Sequence, residues 1–363
     1  MNEMDEAAMR AASEIAEEAT RAVSDTDEAP ELQGENAPSG SLVAGNGRYA
    51  PSPTGDFHLG NLRTALLAWA FAQRHGRGFV MRVEDLDVER SRSEYARSQL
   101  ADLAAIGLTW NEPVQYQSER GNLYECEFER LREAGLLYEC YCTRKDLAEA
   151  ASAPNGTPGV YPGTCRDLSG EQRAQGRAKL AGMNRGPALR LRSSVRELEI
   201  RDEILGNYIG VVDDFVIRRG DGAFSYNFVS VVDDAEADIR EVTRGADLLA
   251  STPRQVHLQH LLGFATPQYF HVPMVFNLEG RRLAKRDGAV TMRALASFGW
   301  TPADIVRLLA ASLEVDLPEA TGLTGSAETR ELARIFSEEL SMDHLRHGPW
   351  YVDTAELERG PRR

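Results

Sequence analysis

Two segments of the chain carry residue types suited to handling phosphate. The first reads Arg48-Tyr49-Ala50-Pro51-Ser52-Pro53-Thr54-Gly55-Asp56-Phe57-His58-Leu59-Gly60-Asn61. Its prolines and glycines predict a turn that places His58 and Gly60 at the start of a helix. A helix start offers backbone N–H groups and a positive dipole end, which suit an anion. Gly60 has no side chain and lets a nucleotide approach the backbone closely. His58 can donate a hydrogen bond to a phosphate whose charge grows during displacement. The second segment, Gly280-Arg281-Arg282-Leu283-Ala284-Lys285-Arg286-Asp287-Gly288, is a basic loop after an apolar strand expected at Val272–Phe276. Such a loop can bring Lys285 onto a polyphosphate and release it. Either segment alone has a plain reading, a polar helix start or a solvated basic turn; the pair in one chain is the informative signal.

Three cysteines form a second constellation. Cys140 and Cys142 flank Tyr141, and Cys165 follows a Pro/Gly-rich loop at 153–163. Three thiolates are one ligand short of a tetrahedral structural zinc site. No histidine lies between positions 76 and 256 to complete it. The residues alone leave the fourth place to water, or the group without a metal. Cys126 lies in a helical segment and reads as core.

The elements that must position these residues follow from periodicity. Leu62–Arg74 reads as an amphipathic helix and Phe79–Val83 as a strand ending in Glu84-Asp85. Glu94–Ile106 and Leu123–Ala134 read as helices. Strand, helix, strand in this order predicts an α/β fold with a parallel sheet, whose ligands gather at the carboxyl ends of the strands. Residues 138–210 break the rhythm and read as an insertion, with a β-like stretch at Ala188–Ile200. Strands are expected again at Phe215–Arg218 and Phe228–Val232, then helix Arg254–Leu262 and a helical end (Pro302–Leu313, Ala327–Leu340). The resulting division is a disordered acidic extension at 1–44, a catalytic domain at 45–312 and a short helical part at 313–363.

Composition bounds the function. The chain has 363 residues, 42% hydrophobic and 27% charged, and a formal net charge of -15. That charge argues against gripping nucleic acid by bulk attraction. It is concentrated at the ends, however. Residues 1–44 hold eleven acids against two arginines, and residues 313–363 eleven acids against six bases, so the span between is nearly neutral. A tRNA-facing surface would have to be a local basic patch, for which Arg185, Arg190, Arg192, Arg196 and Arg201 are candidates. Four cysteines exclude a disulfide scaffold, and no apolar run is long enough to span a membrane. A cytoplasmic location and a monomer are expected.

With these residues in view, the sequence resembles the class I aminoacyl-tRNA synthetases, and within them the glutamyl branch. His58-Leu59-Gly60-Asn61 resembles the family's HIGH signature and Arg282-Leu283-Ala284-Lys285-Arg286 its KMSKS signature; Asn61 and Ala284 depart from the pattern. The resemblance implies a Rossmann-like catalytic domain, with His58 and Lys285 catalytic and His58, Gly60, Asn61 and Lys285 binding ATP with its Mg2+. It also implies a glutamate site of Arg48, Ala50, Ser52, Glu84, Tyr226 and Arg244. Glu84 would hold the α-ammonium, and the arginine forks match carboxylate geometry.

In the family's shortened members a tyrosine four residues before the last cysteine completes a structural zinc site, so Cys140, Cys142, Tyr161 and Cys165 are the implied ligands. Only 78 residues follow Lys285, too few for the helical anticodon-binding region of full-length glutamyl enzymes. The chain is therefore similar to the shortened members. These activate glutamate with ATP, without tRNA, and pass it to the queuosine of the tRNA(Asp) anticodon. A reduced glutamyl enzyme charging the tRNA 3′ end and a noncatalytic tRNA-binding paralogue are the alternatives.

Overall fold

The computed structural model describes residues 45–151, 159–283 and 290–361. The expected extension at 1–44, and Ala284 and Lys285, lie outside the described residues. Strand β1 (Asn46–Tyr49) sits inside a seven-stranded sheet, next to β2 (Gly78–Val83), beyond which lies β3 (Asn111–Tyr116). On its other side come β9 (Ile239–Gly245), β10 (Gln268–Val272), β6 (Glu197–Asp202) and β7 (Gly206–Val211). All neighbours pair in parallel except β6 and β7, which form an antiparallel hairpin at the edge. The chain leaves β1 toward β2 and later returns to its opposite side as β9. Strand order therefore reverses between β1 and β9, which opens a crevice at their carboxyl ends.

Helix α1 (Leu59–Arg74) follows β1 directly. It is not amphipathic as expected: Ala65 through Ala72 are all buried. Sheet residues such as Phe79 and Phe270 share its core on one side; Leu332, Ala333 and Phe336 of α10 (Gly325–Glu339) share it on the other. Four alanines between Ala65 and Ala72 keep the helix narrow enough to be enclosed in this way. Residues from 313 onward, including Leu340, Val352 and Leu357, thus add their apolar side chains to the core of the catalytic region.

Two strand assignments change. Phe228–Val232 lies inside helix α6 (Tyr226–Glu236), since a short apolar run enclosed on all sides has no period to separate helix from strand. The run expected as one strand at Val272–Phe276 is divided at Pro273, with β10 ending at Val272 and β11 at Val275–Asn277. Residues 138–210 divide between two sheets. β6 and β7 extend the main sheet, whereas β4 (Leu137–Cys140), β5 (Ala188–Leu191) and β8 (Val216–Arg218) form a small antiparallel sheet. Helices α4 (Arg144–Ala151) and α5 (Gly170–Ala181) accompany this small sheet, whose core includes Tyr141, Tyr161, Cys165 and Leu180.

Candidate active site

A cavity of about 390 Å³ opens at the carboxyl ends of β1, β2, β9 and β10. Arg48, Ala50, Ser52, His58, Gly60, Asn61, Glu84, Tyr226 and Arg244 all line it. These are all of the residues expected to bind glutamate or ATP except Lys285, and strand order explains their meeting. β1 ends at Tyr49 and delivers the following loop; Glu84 directly follows β2; Arg244 and Gly245 close β9.

At the phosphate end, His58 is the N-cap of α1. Its Nδ1 accepts the Gly60 N–H at 3.0 Å, and the Asn61 side-chain oxygen accepts the His58 N–H at 3.1 Å. With Nδ1 used as acceptor, the neutral ring carries its proton on Nε2. Gly60 is confined: a Cβ there would lie 2.9 Å from the His58 ring and 3.3 Å from Val275 Cβ. The Gly60 N–H is therefore spent on the imidazole, and Asn61 serves as the reciprocal half of a capping box.

At the other end the site rests on buried charge. Arg82 is fully buried; it donates to Asp234 Oδ1 at 2.6 Å and to Glu84 Oε1 at 3.3 Å, and lies 3.6 Å from Asp233. Arg48 donates to the Thr243 carbonyl at 3.1 Å and to Asp234 at 3.4 Å. Burial works against the Arg82 charge, but Asp234, Asp233 and Glu84 outweigh it and its pKa is raised. Burial also opposes ionisation of Asp234, yet Arg82 and Arg48 hold it below the usual carboxylate range. Glu84 goes the other way: its burial outweighs Arg82 and Arg48, and its pKa is raised. Asp233, whose carboxylate accepts from Gln117, Arg120 and Tyr124, completes the layer. Sequence reasoning missed both aspartates because the run before them, Phe228–Val232, is expected as a strand; on helix α6 they fall one turn beyond Ser230 and meet Arg82 of β2.

Arg244 donates from Nη2 to Thr252 Oγ1 at 2.8 Å, from Nε to His271 Nε2 at 3.1 Å and from Nη1 to Tyr226 Oη at 3.4 Å. Its guanidinium also lies 5.4 Å from the Tyr269 ring centroid. A cavity with a helix N-terminus at one end and two anchored guanidinium groups beside a buried carboxylate at the other fits a zwitterion with an extra negative charge next to a phosphate.

Residues 46–324 match the model of the class I tRNA synthetases (E and Q), catalytic domain. The chain belongs to this family. It is a ligase of the class I aminoacyl-tRNA synthetase type. Among curated relatives, the glutamyl-Q tRNA(Asp) synthetase of Nocardia farcinica is 56% identical over 271 residues, covering 75% of this chain and 85% of that protein. Glutamate–tRNA ligase 1 of Halorhodospira halophila is 41% identical over 317 residues, covering 83% of this chain and 66% of that protein. The crystal structure of a glutamate tRNA ligase from Elizabethkingia meningosepticum superposes with a TM-score of 0.68 at 24% identity, over 86% of this chain and 68% of that one, and so shares the fold.

In this synthetase the three cysteines of the small sheet converge. The Sγ atoms of Cys140, Cys142 and Cys165 lie within 4.8 Å of one another and form a group that could hold one metal ion. Tyr161 Oη lies 3.5 Å from Cys140 Sγ and 4.0 Å from Cys142 Sγ, while Cys142 and Cys165 are 3.6 Å apart. A tetrahedron with metal–sulfur bonds of about 2.3 Å has edges of roughly 3.8 Å, so these spacings fit. Cys165 Sγ accepts the Tyr141 N–H at 3.4 Å, and Tyr161 Oη accepts the Cys165 N–H at 2.8 Å, bonds that favour negative charge on both atoms. The Cys140 thiol is held well below its ordinary range, first by its hydrogen bond with Cys142 and then, against burial, by Arg190. Burial and the neighbouring Cys140 raise the Tyr161 phenol, so a metal would have to displace its proton.

Of the arginines expected as a tRNA-facing patch, Arg185, Arg196 and Arg201 are exposed. Arg190 is buried with its guanidinium 3.6 Å from the Tyr161 ring centroid, and Arg192 is paired with Asp167. Among the described residues, no helix is long and apolar enough to cross a membrane.

Proposed function

We propose that this synthetase condenses glutamate with ATP, in the absence of tRNA, and then transfers glutamate to queuosine in the anticodon of tRNA(Asp). The observation that carries the first half is the single cavity joining His58 and Gly60 to Arg48, Glu84, Tyr226 and Arg244. The glutamate α-carboxylate attacks the α-phosphorus of Mg2+-bound ATP in line, the bond to the bridging oxygen breaks, and pyrophosphate leaves. Catalysis is then positioning and charge stabilisation. His58 donates from Nε2 to the phosphate, and Lys285 neutralises the leaving polyphosphate. Arg48 and Arg244 take the carboxylates, Glu84 takes the ammonium, and Ala50 and Ser52 border the amino acid.

In the second step a hydroxyl of the queuosine cyclopentenediol attacks the activated carbonyl, the acyl–phosphate bond breaks, AMP leaves, and the hydroxyl proton is lost. The acceptor is supported by the higher identity to a glutamyl-Q tRNA(Asp) synthetase than to a glutamate–tRNA ligase. Cys140, Cys142, Tyr161 and Cys165 would hold one structural Zn2+, tying the ends of the small module together.

Pyrophosphate exchange with a panel of amino acids, without tRNA, tests the first step. Exchange should depend on glutamate alone. Labelled glutamate should then enter tRNA(Asp) only when it carries queuosine. Labelling of queuosine-free tRNA at its 3′ end would instead establish a reduced glutamyl-tRNA synthetase.

A further inference from the structure

Three side chains lie in a row across the sheet behind the glutamate pocket, one on each of three neighbouring parallel strands. Asp202 ends β6, His271 lies on β10 in register with Arg244 of β9, and β6 is held to β10 through the pair Tyr269–Asp202. Asp202, His271 and Thr252 are essentially sealed from solvent, and Arg244 is 5% exposed. Asp202 Oδ2 lies 2.7 Å from His271 Nδ1 and accepts the His271 backbone N–H at 3.0 Å; its Oδ1 accepts the N–H groups of Ile204 and Leu205. The carboxylate thus has acceptor work at both oxygens and stays ionised, held low by His271 and these N–H groups against its burial.

Donor and acceptor roles then propagate in one direction. An ionised Asp202 can only accept, so His271 Nδ1 carries the proton. Its Nε2 is then the acceptor for the Arg244 Nε–H at 3.1 Å, with the Thr252 hydroxyl, 3.2 Å away, between Nε2 and Arg244 Nη2. A protonated imidazole would set an N–H against an N–H and a cation against a cation. Burial, and Arg244 itself, keep the ring neutral although Asp202 favours the charged form.

We propose that His271, fixed in its Nδ1–H tautomer by Asp202, is a positioning residue that aims the Arg244 guanidinium at glutamate. Of the five N–H bonds of Arg244, His271, Thr252 and Tyr226 take three. One remains on each terminal nitrogen, the pair a carboxylate takes bidentately. A guanidinium held at Nε by a neutral acceptor keeps its full charge for the ligand, whereas a carboxylate at that place would neutralise it. Here the carboxylate is one residue removed and the imidazole transmits only its orientation. This role rests on the reading of the cavity as a glutamate site.

The test is glutamate-dependent pyrophosphate exchange by the full chain, with KM for glutamate and for ATP measured separately and L-glutamate binding followed by calorimetry. His271→Ala should raise KM for glutamate, and weaken binding, by roughly tenfold to a hundredfold, as expected for a misaimed group. KM for ATP should stay close to that of the wild type, whereas the melting temperature should fall, because Asp202 is left buried and charged without its imidazole partner. His271→Gln places an amide oxygen where Nε2 was, cannot take a proton, and should restore KM to within about threefold of wild type. Equal losses on the ATP and glutamate sides, a Gln variant as poor as Ala, or a glutamate KM unchanged in His271→Ala would each overturn the proposal while leaving the cavity assignment standing. A wild-type chain that neither binds glutamate nor supports exchange would instead overturn that assignment, and the positioning role with it.

Discussion

At the scale of single residues, the arrangement of the site makes its parts unequal. His58 is both the cap of α1 and the donor proposed for the phosphate. His58→Ala should therefore lower pyrophosphate exchange by about a hundredfold or more, the usual loss for one transition-state donor, while circular dichroism stays native. Gly60→Ala tests the same corner from the backbone side. The added methyl meets the His58 ring and Val275, so exchange should fall although no polar group has been removed. Glu84 gives a pH dependence. Its pKa is raised by burial, so on acidification it takes up a proton earlier than an ordinary glutamate and loses its hold on the ammonium. KM for glutamate should rise as pH is lowered from about 8 toward about 5, and a flat profile would exclude Glu84 as the ammonium partner.

At the scale of elements, α1 and its neighbours decide how firmly the pocket is held. Arg63 of α1 is buried, lowered to about 10 by burial, and donates to the Pro273 carbonyl and to Ser312, linking the first helix to the strand end that lines the cavity. Helix α10 packs against α1 through Leu332 and Phe336, both fully buried. Phe336→Ala should cost about 3 to 5 kcal/mol in a denaturant titration. Loss of a single cooperative transition, rather than of a separate C-terminal one, is expected. Asp102 on α2 (Ser93–Ala105) is raised to about 6 by burial, then by Asp56, against Arg293. A carboxyl raised on folding favours the fold below its unfolded pKa and loses that advantage as pH rises through about 6. Asp102→Asn should therefore stabilise the fold near pH 7.5 by about 1 kcal/mol after allowance for its partial exposure, by less near pH 5, and change little only below about pH 4, where the carboxyl is protonated in both folded and unfolded chains.

At the scale of the whole molecule, the metal group and the charge distribution are the testable features. Metal analysis of purified protein should find about one zinc per chain, and Tyr161→Phe should keep the three thiolates but release the ion more readily to a chelator. Chelation should lower thermal stability through the small sheet. Pyrophosphate exchange should survive it, because the cavity is built on the other sheet. The acidity that weighs against a nucleic-acid partner is concentrated at the chain ends by composition, and of the five arginines expected as a basic patch Arg185, Arg196 and Arg201 are exposed.

The motif residues were legible in the sequence because each sits in a short segment whose chemistry is local: a turn ending in a helix cap, an acid at a strand end, cysteines two apart. The same was true of the parallel α/β class, which follows from the order of its elements. What sequence could not supply were partners separated along the chain and joined only by strand order. Asp233 and Asp234 directly follow Phe228–Val232, an apolar run buried on every side and so without a period to separate helix from strand, and only the tertiary structure places them on α6. Asp202 and His271, 69 residues apart, become neighbours of Arg244 because β6, β10 and β9 lie side by side. Residue types named the chemistry, and sheet topology decided which charges hold them in place, since hydrogen bonds between strands are fixed by register and not by distance along the chain.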